Sequence, residues 1–586
     1  MPVLKGIPAS PGIAIGKAYI LEKENFCILE YKIKEGEEEN EVKRFKEAVE
    51  ESKKQILQIR ERVKEKIGEK EAYIFQSYLS ILEDPLLIEE TVRKIREEKI
   101  NAETALRKVC KNFEEKLKSI QNEFVEERFR DIEDAAERIL HNLLRKPIFT
   151  LSHLEEKIIV VAYDLAPSDT ASMDKEKVLG FATDIGGRTS HTAIMARALE
   201  IPAVVGLRDV TKRVTPGETL IIDGDRGQVI IDPTSHQIRK YREKRKKFII
   251  YKKNLEKLKP LPAKTLDGRE IELAANIAGP EEVDVAIRNG AEGVGLYRTE
   301  YLYMNRTSLP SEEEQLRAYA SVAEKVKPYS VIIRTLDIGG DKFLSPLAVP
   351  REINPFMGCR AIRLSLELVD VFKTQLRAIL RATQYGKVKV MFPMVSSLEE
   401  VRKAKEILLE VKEELKEKKI PFSESLEVGI MIEVPSAAIM ADVLAKEVDF
   451  FSLGTNDLIQ YTLAVDRVNE KVAHLYQPLH PTILRLIDHV VKEAHRENIW
   501  VGACGEMASD PLGMAVLLGL GVDELSVAPT SILEIKKIIR GLSWEELQKI
   551  ATHLLKLQTS QQAKRYLESK IGRRIRKILR GEYDAA

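Results

Sequence analysis

Cysteine is scarce: Cys27, Cys110, Cys359 and Cys504 are the four in 586 residues, and no CxxC pair occurs. Neither a disulfide scaffold nor a thiolate zinc site is expected. Long apolar runs are missing as well, since nothing approaches the ~18 residues a membrane span needs. The opening MPVLKGIPASPG lacks the apolar core of a signal peptide. The expectation is a cytoplasmic chain without membrane insertion. Neither charge dominates, with Lys plus Arg at 93, Asp plus Glu at 92 and a net charge of +1. Composition therefore gives no reason to expect nucleic acid or an anionic membrane as partner. No GxxxxGK[ST] pattern appears, and GGDK at 339–342 is not one. What remains is a charge-rich globular chain, long enough for three to five domains at roughly 100–200 residues each.

Residues 3–21 mix Gly, Pro and β-formers, which predicts turns and short strands. From about 33 to 146 glycine nearly vanishes and a helical rhythm takes over. Val42, Phe45, Val49, Ser52, Ile56, Ile59, Val63 and Ile67 recur at spacings of three and four and stop at Gly68. Further amphipathic stretches at 70–83, 86–98, 101–121 and 123–145 complete a helical bundle. Strand patterns return at 157–163 and continue to about 232, so the bundle reads as an insertion into an α/β domain made of residues 1–21 and 147–232. Residues 234–260 carry eleven Lys and Arg against Glu243 and Glu256. A solvated connecting helix explains such a run better than a nucleic-acid patch. With KPLPAK it forms a linker over 233–264.

From 265 to 586, strand candidates near 271–276, 293–298, 330–336, 388–394, 427–433, 449–454, 499–504 and 523–528 alternate with helical segments. Eight such units fit a (β/α)8 TIM barrel; a doubly wound open sheet is the alternative. In a barrel the active site gathers at the strand C-terminal ends. Here Arg298, Arg334, Glu433 and Cys504 lie at or just past such ends. Asn456 and Asp457 follow the sixth strand, Arg467 lies ten residues on, and Arg360 sits on the connection after the third. Any one of these would be an ordinary ion-pairing or capping residue. Together, four guanidiniums suit a ligand rich in anionic oxygens, and two carboxylates beside an amide suit a hard cation such as Mg2+. The implied substrate is a small phosphorylated carboxylic acid. Separately, GGRTSHTAIMAR places His191 at or near a helix N-terminus, where amides and macrodipole favour an anion. A neutral imidazole there can accept a phosphoryl group; a capping or core histidine is the plain alternative.

These segments, with GLYRTE, IIRTLDIGGDK, NPFMGCRAIR, GIMIEVPSA, GTNDLIQYTLAVDR and GACGEMA, resemble the phosphoenolpyruvate–protein phosphotransferases, the Enzyme I family of the sugar phosphotransferase system. The resemblance runs from GIPASPGIAIGKA to about residue 570. It implies a swivelling β/β/α phosphohistidine domain with an inserted helical bundle, a linker helix and a TIM barrel. It implies His191 as the phosphohistidine with Thr170 as its hydrogen-bond partner, and Arg298, Arg334, Arg360, Arg467, Asn456 and Asp457 as phosphoenolpyruvate-binding residues. Glu433 and Asp457 would hold Mg2+, and Cys504 would protonate the enolate carbon. The helical insert would receive the histidine phosphocarrier protein (HPr), and the barrel would form a homodimer. Glu69, Glu71 and Glu83, with Phe75 and Leu79 among them, are the expected docking surface, and Arg128 a further contact. Cys359 stands where the family often has an aromatic residue before the arginine at 360.

Two relatives of this pattern fit less well. Pyruvate phosphate dikinases and phosphoenolpyruvate synthases need a nucleotide-binding module ahead of the histidine, and only 190 residues precede His191. A nitrogen-related paralogue would carry an extra N-terminal sensory domain. A catalytically silent phosphoenolpyruvate sensor would be expected to have lost His191, Cys504 or a metal carboxylate, and all are present.

Overall fold

The computed structural model of the chain describes all residues except 1–2, 22–27, 35, 67–71, 73, 119–122, 147–150, 152–155, 172, 175, 188–189, 305, 307, 340–353, 468, 470 and 581–586. The chain divides into two compact units, residues 1–249 and 250–586.

In the first unit, β1 (Val3–Lys5), β2 (Ile7–Ser10), β3 (Ile13–Leu21), β4 (Ile158–Ala162), β5 (Val178–Thr183), β6 (Ala203–Val205), β7 (Thr219–Asp223) and β8 (Gln228–Ile231) form one sheet. Its order is β1-β8-β7-β3-β4-β5-β6-β2. The central β3, β4, β5 and β6 run parallel, and the flanking pairs are antiparallel. All five side chains of β4 are buried, as expected of a strand covered on both faces. The helix His191–Leu199 packs its Ala193, Ala196 and Leu199 into one of the two cores flanking the sheet.

Between β3 and β4 the chain leaves the sheet and builds the helices Glu38–Lys66, Ile74–Leu82, Pro85–Glu98, Ala102–Lys118 and Glu123–Leu143. The predicted stripe on the first of them is the buried one: Val42, Phe45, Val49, Ser52, Ile56 and Val63 face the helical core. Asp84 starts the third by accepting from Leu86 N at 2.8 Å, with Pro85 in its first turn, where a missing N–H costs nothing. One expectation fails here. Phe75 is 0% exposed and Leu79 8% exposed, and both belong to the helical core with Tyr78, Ile81 and Leu82. The apolar excess of this helix is consumed by neighbours on both sides, so neither residue offers a partner an apolar surface. Glu83 is exposed. Glu69 and Glu71 lie outside the described residues, as does the side chain of Arg128. Met195, on the His191 helix, joins the same core as the helical insert, so the insert and the histidine-bearing helix share packing.

In the second unit, β9 (Glu272–Ile277), β10 (Val294–Arg298), β11 (Ser330–Arg334), β12 (Lys387–Phe392), β13 (Glu427–Ile432), β14 (Phe450–Leu453), β15 (Trp500–Ala503) and β16 (Glu524–Val527) are all parallel, and β16 closes on β9. This is the (β/α)8 barrel, and closure excludes the doubly wound sheet. Apolar faces of the outer helices, for example Phe372, Leu376 and Ile379 of Val369–Ala382, pack against the strands in one continuous core. The basic C-terminal stretch has a structural role. Ile571 and Ile575 are buried against the barrel, while Arg574 pairs with Glu546 at 2.6 Å and Arg576 with Glu568 at 2.7 Å.

Candidate active site

The C-terminal mouth of the barrel holds a cavity of about 300 Å³ lined by Arg298, Arg334, Arg360, Arg467, Glu433, Asn456, Asp457 and Cys504. Every barrel residue singled out from the sequence is therefore on one wall or another of a single cavity. A larger hollow of about 790 Å³ opens among strand starts, beside Ser330, Lys387 and Glu427. The barrel rule that chemistry sits beyond the strand C-termini selects the smaller one, and so does the residue chemistry.

Arg334 ends β11 and is almost wholly buried. Its Nη2 donates to Glu300 at 2.7 Å and pairs with Asp337 at 3.0 Å. Arg360 pairs with the same Asp337 at 2.9 Å and lies 3.7 Å from Asp457. Burial alone would weaken both guanidiniums. The charges of Glu300, Asp337 and Glu433 around Arg334, and of Asp337 and Asp457 around Arg360, more than offset it, so both are held above the usual arginine range. Each also has a buried Nε with no hydrogen-bond partner among the described residues. Buried unsatisfied donors are costly.

Behind this pair sits a fully buried brace. Gln375 donates to Thr299 at 3.0 Å and accepts from Leu336 N at 2.9 Å, while Thr299 donates to the Arg334 carbonyl at 2.8 Å. The ends of β10 and β11 are thereby fixed to each other. The backbone at 360 is pinned too. Ala361 adopts φ +53°, a region L-residues avoid, and a side chain on Gly339 (φ +122°) would run into Arg360.

Glu433 follows β13 and accepts from Met394 N at 2.6 Å. Burial, then the charges of Asp457 and Asp337, push its carboxyl up to about 8 against the pull of Arg334 and Arg360. The Glu433 side chain packs directly on Gly454, where a Cβ would stand 2.7 Å from Glu433 Oε2 and 2.8 Å from its Cβ. Two carboxylates repelling each other on one cavity wall are a donor set that fits a hard divalent cation. Asn456 and Asp457 lie in the first turn of the helix Thr455–Leu463, and Asn456 Oδ1 accepts from Glu506 N at 2.9 Å. Arg467, partly exposed, pairs with Glu506 at 3.3 Å. Cys504 follows β15, where burial pushes its thiol up to about 11. Cys359 points elsewhere and bonds Glu367 at 3.0 Å; the aromatic ring near Arg360 is Phe356, 5.9 Å from it.

His191 lies in the other unit and opens the helix His191–Leu199, with Ser190 as N-cap accepting from Ala193 N at 3.3 Å. Thr170 directs its hydroxyl proton to the carbonyls of Pro167 (3.0 Å) and Ala166 (3.3 Å), so toward any other group it offers an acceptor. Glu300, Asp337 and Gln375 were not singled out from the sequence. Glu300 and Asp337 stand inside the quoted motifs two and three residues after an arginine, which was the available signal; Gln375 had none.

Three family models match in order: the N-terminal domain of phosphoenolpyruvate-utilising enzymes over residues 5–128, the mobile domain over 154–227 and the phosphoenolpyruvate-binding domain over 252–544. Fold and site thus define a phosphoenolpyruvate-utilising enzyme. Among similar curated proteins, the phosphoenolpyruvate-protein phosphotransferases of Bacillus sp. (strain S) and Geobacillus stearothermophilus are each 50% identical over 559 residues, covering 95% of this chain and 96% of theirs. That of Bacillus subtilis (strain 168) is 49% identical over 562 residues, covering 96% of this chain and 98% of its own. The chain belongs to the phosphoenolpyruvate-protein phosphotransferase family.

Proposed function

We propose that this enzyme takes the phosphoryl group of phosphoenolpyruvate onto His191 and passes it to the small histidine phosphocarrier HPr, the first step of phosphotransferase sugar uptake. The observation that carries the reading is the convergence of Arg298, Arg334, Arg360 and Arg467 with Glu433 and Asp457 on one cavity at the barrel's C-terminal mouth. Guanidinium forks match phosphate and carboxylate oxygens two at a time.

The charge balance supports a metal. The four cavity arginines face Glu300, Asp337, Glu433 and Asp457, which leaves little net charge to receive a substrate with three acidic groups. Glu433 and Asp457 would hold Mg2+, which when bound offsets the charge on the departing enolate and the phosphoryl oxygens. The arginines bind and orient the substrate. The imidazole of His191 forms the new P–N bond while the phosphorus–oxygen bond to the enolpyruvate breaks. The enolate then takes a proton at its terminal carbon from the Cys504 thiol, and pyruvate leaves. A thiol held protonated by burial suits that donor role.

His191 and the cavity belong to different units joined through the helix Ser235–Glu256. The reading therefore includes a swivel that brings His191 to the substrate and returns it to the carrier. It also includes a homodimer through the barrel and a cytoplasmic location, in keeping with the fact that no described helix is long and apolar enough to cross a membrane. The test is incubation with labelled phosphoenolpyruvate and Mg2+ and mapping of acid-labile phosphate. Label on His191, lost in His191→Ala, is expected. Label that persists in His191→Ala would overturn the reading.

A further inference from the structure

Tyr461 is absent from the assignments above, yet it is hydrogen-bonded to one of the cavity arginines. It lies four residues after Asp457 on the helix Thr455–Leu463, so the two side chains share a helix face. Its hydroxyl accepts from Arg360 Nη1 at 3.2 Å and donates to the carbonyl of Phe356. The second bond fixes the sense of the first. With its proton committed to a carbonyl, the phenol oxygen presents only lone pairs to the guanidinium.

We propose that Tyr461 is a positioning residue for substrate and metal binding, holding the Arg360 guanidinium short of a hydrogen bond to Asp457. The proposal rests on the reading of this cavity as the phosphoenolpyruvate site. Arg360 Nη2 already bonds Asp337 at 2.9 Å and stands 3.7 Å from Asp457, short of a hydrogen bond. The backbone offers little freedom, being held by the positive φ of Ala361 and the close approach of Gly339, so what can move is the guanidinium. Without the phenol oxygen, Nη1 loses its partner and the guanidinium is free to close on Asp457, with which Nη2 already pairs at 3.7 Å. Collapse onto it would engage the fork meant for the substrate and neutralise the carboxylate meant for the cation. A single neutral hydroxyl thereby keeps this ion pair at 3.7 Å from closing into a hydrogen bond.

The test compares Tyr461→Phe, Arg360→Lys and the double variant for half-saturating phosphoenolpyruvate, half-saturating Mg2+, turnover at saturation and melting temperature. Losing a hydrogen bond to a charged group predicts about a tenfold rise in half-saturating phosphoenolpyruvate for Tyr461→Phe. Half-saturating Mg2+ should rise with it, while saturated turnover and melting temperature stay near the parent's. In the double variant the tyrosine change should add nothing to Arg360→Lys. Tyr461→Gln, whose amide can both accept from Arg360 and donate to Phe356, should recover part of the loss, and it serves as the readout if Tyr461→Phe melts early. Unchanged half-saturation in Tyr461→Phe, multiplicative effects in the double variant, or a phosphoenolpyruvate effect with no Mg2+ effect would each overturn the proposal. If Arg360→Lys itself leaves phosphoenolpyruvate saturation untouched, it is the reading of the cavity that fails.

Discussion

Ser452 donates its hydroxyl to the sulfur of Cys504 at 3.4 Å inside the barrel, and the thiol in turn faces the Leu453 carbonyl at 3.8 Å. The sulfur is therefore solvated by protein rather than water. Burial pushes the thiol up to about 11, with Ser452 and Arg334 pulling the other way. The protonated form should persist through neutral and mildly alkaline pH. Alkylation of Cys504 by iodoacetamide, followed by peptide mass, should be slow at pH 8 and slower still in Ser452→Ala. Cys504→Ala should cut turnover at least a hundredfold, the usual scale of a lost general acid, with phosphoenolpyruvate still bound. Rapid alkylation at pH 8, or normal turnover without the thiol, would remove Cys504 from the proton-donor role.

Gly454 gives a steric prediction for the metal. A Cβ there would stand 2.7 Å from Glu433 Oε2 and 2.8 Å from its Cβ, so a side chain would displace that carboxylate. Gly454→Ala should weaken Mn2+ binding, followed by electron paramagnetic resonance in place of Mg2+, by about tenfold or more. Unchanged Mn2+ affinity would show that the placement of Glu433 does not matter to the cation.

Glu524, at the start of β16, is 2% exposed, and its Oε1 has no hydrogen-bond partner among the described residues. Burial, then the charge of Glu272, pushes its carboxyl up to about 8 while Lys389 pulls it down. A carboxyl whose folded value exceeds its unfolded value of roughly 4.3 gives stability that is complete below that lower value. The stability is lost as pH rises toward 8, at up to ~1.4 kcal/mol per unit. Between pH 5 and 8 the barrel's melting temperature should fall in the parent and stay flatter in Glu524→Gln. Parallel curves would mean that Glu524 is already ionised in the folded barrel.

Two substitutions separate docking from folding in the helical insert. Phe75→Ala should destabilise the first unit by about 3–5 kcal/mol, as core phenylalanines do. Charge reversal at Glu69, Glu71 and Glu83 should slow transfer to the phosphocarrier, most at low salt, and leave phosphorylation of His191 intact. A triple variant that matches the parent's rate and salt dependence would place the docking surface elsewhere.

The contrast between Phe75 and Arg334 shows what the sequence could convey. Eight apolar runs, several ending in polar residues, announced the barrel because strand and helix alternate there with little ambiguity. The cavity residues were readable because a strand C-terminus has a fixed fate in a closed barrel. Phe75 and Leu79 were misread because periodicity reports which face of a helix is apolar but not how many neighbours cover it. Asp337 passed unnoticed for a related reason: in sequence it is one more charged residue after an arginine. Only folding shows that it is buried and shared by Arg334 and Arg360. Tyr461 carried no signal either, since its partners lie about a hundred residues upstream.

The pairing of β16 with β9 has a consequence for synthesis. Arg298, Arg334, Arg360, Glu433, Asp457 and Cys504 all leave the ribosome before Glu524–Val527, so every reactive group is made while the ring is still open. Until the last strand docks beside the first, the strand ends have no common mouth and the acidic and basic side chains remain in water. On the proposed reading, a nascent chain with a completed His191 domain is expected to be inert toward phosphoenolpyruvate until ring closure.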